Sequence, residues 1–179
     1  MQTGESFSFS EEGDSPLMTI VVPLVGYRGE VVKDWIDGNG HMGSLAYASL
    51  LHSSISVLFK SIGIDVNYVQ RRQLSIFHQE THLSYEAELR LGAPIEVRSW
   101  LVAFETDRIH HFHELINLDR DRRAAAMEFL SSHVDLVTRR TTHFPPDIGS
   151  RLDDLAAAYA GQTLPEGHGA RISLAGNDR

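Results

Sequence analysis

Asp37, Asn39 and His41 alternate with Gly38 and Gly40 in the run DWIDGNGHMGSLAYASLLHSS, residues 34–54. A carboxylate can serve as nucleophile or general base, and an imidazole can steer a proton or shape a pocket. The run then turns helical from Ser44. The first turn of a helix offers N–H groups without intrahelical acceptors and a partial positive charge. Gly38 and Gly40 let the loop fold the carboxylate back toward those amides. Amides to polarise a carbonyl oxygen, with an acid to attack or to activate water, are the groups that acyl transfer from a thioester needs. Asp and Asn are also favoured helix caps, so residue types by themselves leave a cap and a reaction centre both open.

The elements that must position this run are legible from periodicity. MTIVVPLVGYRGEVV (18–32) is rich in β-branched residues and predicts a strand, bent or broken at Pro23 and Gly26. Tyr47, Leu50, Leu51, Ile55, Leu58 and Ile62 recur at helical spacing, with Gly63 as a stop and small residues on the other faces. Strict alternation then marks THLSYEAEL (81–89) as a strand, RLGAP (90–94) as a turn and PIEVRSWLVAFE (94–105) as a second strand. RIHHFHELINL (108–118) and AAAMEFLSSHVDLVT (124–138) extend the pattern around a charged hairpin loop. PPDIGSRLDDLAAAYA then predicts a closing helix with Asp147 near its start. Short connections favour antiparallel neighbours. The order is that of an α+β protein: a curved antiparallel sheet wrapped around one long central helix. Residues 1–16 read as a flexible arm, 17–160 as a single domain and 161–179 as a C-terminal tail.

Composition narrows the function. A net charge of −8 argues against a nucleic-acid partner, and no run is long enough for a membrane span. Fourteen of sixteen cations are Arg, so an anion site would be built of guanidinium. The absence of cysteine removes thiolate nucleophiles, disulfides and sulfur-ligated zinc. The N-terminus lacks the basic and apolar regions of a secretory signal, and a cytoplasmic protein is expected.

The opening run resembles the D-x-x-G-H-[VM]-N motif of hot-dog fold acyl-CoA thioesterases of the 4-hydroxybenzoyl-CoA thioesterase type. WIDGNGHM-x4-Y is closer to the branch that includes betainyl-CoA thioesterases. The resemblance continues through HLSYEAELRLGAP, RIHHFHEL and SSHVDLVTRRTTHFPP. It implies Asp37 as the catalytic carboxylate, nucleophile or general base, and the amides around Gly43 and Ser44 as the groups that polarise the thioester carbonyl. Asn39 and His41 match positions that shape the loop and the substrate pocket. It further implies a homodimer or homotetramer with the acyl pocket at the subunit interface, and no cofactor beyond the coenzyme A of the substrate. One departure stands out: Gly43 occupies the position where the family carries Asn.

Other residues are weighed against plainer accounts. Tyr47 and Trp35 suit pocket walls and suit a core equally. Glu80 and His82 share a strand face, from which Glu80 would reach a substrate or water. Arg139 and Arg140, with Arg71 and Arg72, suit the phosphates of coenzyme A. His110, His111 and His113, with His78 and His82, invite a metal reading that lacks a third ligand at obvious spacing. The alternative for them is a polar outer or intersubunit face, and no metal is expected. The leading expectation is an acyl-CoA thioesterase acting on a small or medium acyl group. Two rivals stand beside it. One is a hot-dog enoyl-CoA hydratase, although its D-x-N-P-x-H motif needs the His one residue later and a proline. The other is a non-catalytic acyl-CoA-binding protein of the same fold.

Overall fold

The structure is a computed structural model that describes residues 20–174. The arm expected over 1–16 lies outside the described residues, as do 175–179. Strand β1 (Leu24–Glu30) leads through a 3-10 turn (Lys33–Trp35) to helix α1 (Ser44–Ser61) and the short helix α2 (Val66–Arg72). Four strands follow, β2 (Leu74–Tyr85), β3 (Pro94–Phe104), β4 (Arg108–Asn117) and β5 (Arg122–Asp135). The two-residue β6 (Arg140–Thr141) and helix α3 (Pro146–Tyr159) close the order. The strands form one antiparallel sheet in the order β1-β3-β4-β5-β2, with β6 on β5.

The sheet curls around α1 because α1 is apolar on the stripe that the spacing predicts. Tyr47, Leu50, Leu51, Ile55, Leu58 and Phe59 are buried against Val97, Leu101, Ile109, Leu115 and Phe129. Burial of one such side chain is worth about 1.5–3 kcal/mol, so this seam dominates the local energetics. Strand β1 comes close enough to α1 that a Cβ at Gly26 would lie 2.6 Å from Ser54 Cβ. A glycine is therefore required there, and the register with β3 slips between Val25 and Tyr27. Gly63 follows α1 with φ +82, the left-handed conformation that ends a helix.

Three boundaries differ from the sequence reading. Among the described residues the first strand runs only from Leu24 to Glu30. Helix α2 is absent from the reading. Its β-branched VNYVQRR hides a helix that Asp65 caps by accepting a 2.8 Å bond from Tyr68 N. Strand β2 begins at Leu74 rather than Thr81 and ends at Tyr85, so Glu86–Leu89 form a loop.

The bulge at Gln79 has a consequence for function. The register on β5 shifts between His78, opposite Ser131, and Glu80, opposite Leu130. His78 therefore faces α1, whereas Glu80 and His82 face away from it. On that outer face, His110 and Glu128 form a buried pair at 2.7 Å, and Gly169 N also donates to Glu128 at 2.5 Å. Ile172, at 1% exposed, packs there too, so residues 164–172 lie against the sheet. No single helix among the described residues is long and apolar enough to cross a membrane.

Candidate active site

The 37–43 loop is built by its own backbone. Asp37 N donates to His41 O at 2.9 Å and Gly40 N donates to Asp37 O at 3.1 Å. Gly40 supplies the φ of +78 this turn needs. Asp37 Oδ1 accepts from Asn39 N at 2.8 Å, an Asx turn that fixes the carboxylate's orientation. A bridge between Ile36 and Met42 clamps the loop's base, and buried Met42 anchors it to Leu89 O at 2.8 Å. Asn39 thus shapes the loop through its backbone, and its side chain is exposed.

Asp37 lies against the start of α1. A Cβ built on Gly43 would sit 3.4 Å from Asp37 Cβ and 3.7 Å from Oδ2. The expectation for the Gly43 amide needs correction, because Gly43 N donates to Trp35 O at 2.8 Å and is not available to a substrate. The loop's second strand must pair with its first, and that pairing consumes the donor. The next two amides, of Ser44 and Leu45, have no acceptor among the described residues; Ala46 and Tyr47 already donate to Gly43 O. The donor pair at the helix mouth is therefore Ser44 and Leu45.

Asp37, His41, Ser44, Tyr47, Tyr85, Glu86 and Glu88 line one open cleft of about 380 Å³. The His41 ring lies between two carboxylates, with Nδ1 3.9 Å from Asp37 Oδ1 and Nε2 3.9 Å from Glu88 Oε1. Tyr47 accepts from Leu89 N at 2.8 Å and donates to Ala87 O at 3.0 Å. Burial raises its pKa, and the nearby Glu88 charge acts in the same direction, so the phenol stays protonated. Its hydroxyl braces the 87–89 segment, while its ring meets Tyr85 edge-to-face at 5.6 Å. Glu86 is held by Arg123 at 3.0 Å, which also reaches Glu114 and the Glu166 carbonyl.

The sequence reading missed Glu88 as a wall of this cleft. No spacing signal ties it to His41, because the loop after β2 brings them together. The structure does not bring Glu80 here; the Gln79 bulge turns it to the other face of the sheet. Arg139 and Arg140 lie at the Leu74 end of β2, about 36 Å along the strand from the Tyr85 end. Arg139 covers the Phe77 ring at 5.1 Å, and Arg72 is paired with Asp147 at 2.7 and 2.8 Å.

His111 and His113 lie on the face of the sheet toward α1 at 0% exposed, whereas His110 lies on the outer face, buried beside Glu128 at 3% exposed, so none of the three is on a solvent-exposed face. His111 Nδ1 meets His113 Nε2 at 2.6 Å, and the other ring nitrogens bond Ser131 Oγ and Ser99 Oγ at 2.8 Å each. All four ring nitrogens are thereby engaged within the protein. No cluster of three potential metal ligands occurs among the described residues.

A model of the thioesterase-like superfamily matches residues 31–152. The chain belongs to this superfamily. It is 30% identical to a betainyl-CoA thioesterase of Pseudomonas aeruginosa over 84% of its own length and 95% of that protein's. It is 32% identical to an L-carnitine dehydrogenase/betainyl-CoA thioesterase of Agrobacterium fabrum, again over 84% of this chain but only 30% of that protein. A Staphylococcus aureus protein solved in complex with CoA superposes with TM-score 0.76 at 22% identity, covering 87% of this chain and 98% of that one, which bears on fold alone. The expected hot-dog architecture and thioester-hydrolase class agree with this thioesterase-like membership and with the relatives' names.

Proposed function

We propose that the chain hydrolyses a small or medium acyl-CoA thioester, with Asp37 as the catalytic carboxylate. The observation that carries this reading is the meeting of Asp37 and Ser44 in one open cleft, at a helix mouth where the amides of Ser44 and Leu45 have no acceptor among the described residues. A thioester carbonyl seated there would direct its oxygen at the two N–H groups, whose interaction strengthens as charge develops on that oxygen. The Asp37 carboxylate then attacks the acyl carbon, or takes a proton from an attacking water. Direct attack forms an acyl–Asp37 anhydride as the C–S bond breaks, and water then cleaves the anhydride and restores the carboxylate. Either route expels coenzyme A as the thiolate and ends in a carboxylic acid and free thiol. His41, between Asp37 and Glu88, orients the entering group. No metal or cofactor is required, because the thioester is itself activated.

The cleft suits a cationic acyl group. Glu88 and the Tyr47 and Tyr85 rings would surround a quaternary ammonium of the kind that the relatives' names denote. The protein works as a homo-oligomer in the cytoplasm. Strand β2 is the sheet edge, and a second copy pairing antiparallel along it would set that copy's Arg139 and Arg140 near the Tyr85 end. There they would meet the phosphates of coenzyme A. The test is thiol release from an acyl-CoA panel that includes betainyl-CoA, by wild type and Asp37→Asn. Near wild-type turnover in the variant would remove Asp37 from the mechanism, and binding without turnover by the wild type would leave an acyl-CoA-binding protein.

A further inference from the structure

The cleft at the mouth of α1 is lined by the carboxylates of Asp37, Glu86 and Glu88, and they do not stand in the same field. Glu88 and Asp37 meet the His41 ring at 3.9 Å, and neither has a lysine or arginine partner among the described residues. Glu86 carries a guanidinium. Arg123 Nε stands 3.0 Å from both of its carboxylate oxygens.

That guanidinium is fixed from behind. Arg123 Nη1 donates to Glu114 Oε1 at 3.1 Å and to the Glu166 carbonyl at 2.7 Å. Glu114, buried at 8% exposed, also accepts from Trp100 Nε1 at 3.0 Å. Arg123 Cζ lies 5.8 Å from the centre of the Phe112 ring. The wall that carries Glu86 is fixed to the same strand start. Arg122 Nη2 donates to Glu86 O at 3.2 Å, and Ala124 O accepts from Glu86 N and Ala87 N at 2.8 and 3.0 Å. The Glu86–Arg123 pair therefore stays at the cleft wall. An arginine is charged at any pH the fold survives, so the pairing does not titrate away from its side. At the distance of a bound acyl group, opposite charges held this close largely cancel.

We propose that Arg123 is a specificity-determining residue of the cleft. It cancels the charge of Glu86 and leaves Glu88 as the uncancelled carboxylate on the acyl wall. Arg123 thereby sets how strongly the cleft prefers a cationic acyl chain to an uncharged one of the same shape. This deepens the acyl-CoA hydrolase reading and rests on it. A clasp that only tied residues 164–172 to the sheet would act on every substrate alike, whereas charge cancellation acts on the charged one.

The test is the ratio of kcat/KM for two acyl-CoAs of equal shape, one ending in a quaternary ammonium and the other in a tert-butyl group. Effects on folding or chemistry that both substrates share drop out of this ratio. Glu86→Gln leaves Arg123 bonded to Glu114 and Glu166 but uncovers its charge, so the ratio should fall about two- to fivefold. Arg123→Gln is made together with Glu114→Gln, so that no buried carboxylate is left alone. It uncovers Glu86, and the ratio should rise about two- to fivefold over Glu114→Gln by itself. Adding Glu86→Gln to that pair should cancel the rise, and Arg123→Lys, which keeps the charge, should stay within about twofold of wild type. A ratio unmoved by Glu86→Gln, or a shift in the same direction when either charge is removed, would overturn the proposal while hydrolysis itself stood. A wild type that releases no thiol from either substrate would overturn the hydrolase reading and this inference with it.

Discussion

At the N-terminal end of α1, Asp37 and Glu88 keep 36% and 64% of their side-chain surface, and His41 between them keeps 29%. Toward its C-terminal half, His111 and His113 have no exposed surface and stack among Phe59 and Phe129. One region holds charge in water by means of a tight backbone turn; the other holds imidazoles neutral by burial and mutual hydrogen bonding. Solvent lowers the cost of keeping a carboxylate ionised, so a reactive Asp belongs at an open cleft. A buried imidazole escapes the desolvation cost only by staying uncharged and fully paired, as His111 and His113 are.

The comparison breaks first at Asp37. Asp37→Asn should lower thiol release by about 10²–10⁴-fold, the range lost with a positioned acid–base group, while the melting temperature stays unchanged. The second break is acid. His113 titrates at about 3 and His78 at about 4 in the folded state, both below the ordinary histidine value because burial penalises the charged form. Lowered folded-state values mean the unfolded chain takes up protons first. Stability is therefore full above about pH 6.5 and falls as the pH drops toward 4. His113 alone should cost about 3 kcal/mol at pH 4, readable by urea unfolding across pH. His113→Phe should flatten that profile; an equally steep profile would place the acid sensitivity elsewhere.

Gly43→Asn sharpens the open side of the comparison. Gly43 has φ −72 and room for a Cβ at ordinary contact distance, so a side chain is tolerated beside Asp37. The variant should fold as well as wild type and change kcat by no more than about tenfold, since the N–H of residue 43 is already committed to Trp35. Glu88→Gln is the mildest. An exposed charge contributes about 0.2–1 kcal/mol, so KM should rise about two- to fivefold for a cationic acyl-CoA and stay level for a neutral one of equal length. An equal change for both would assign Glu88 to His41 rather than to the acyl group.

What could be read without coordinates was local. The Asp37–Gly43 turn, the start of α1 and its buried stripe follow from contiguous residues whose backbone preferences and spacing act over one or two turns. The same holds for the antiparallel hairpins from β3 to β5. The tertiary structure decided the rest, because a sheet's register is set by packing against distant strands. One inserted residue, Gln79, turns Glu80 away from α1 and His78 toward it. Pairing beside the Ile36–Met42 bridge consumes the Gly43 amide and leaves those of Ser44 and Leu45 without an acceptor among the described residues. Ser99, Ser131 and the histidines lie on four strands of one sheet, and only their alignment under α1 makes them a single chain. The sequence by itself determined which groups could carry the chemistry and the turn that presents Asp37; folding determined which of their hydrogen bonds were already spoken for.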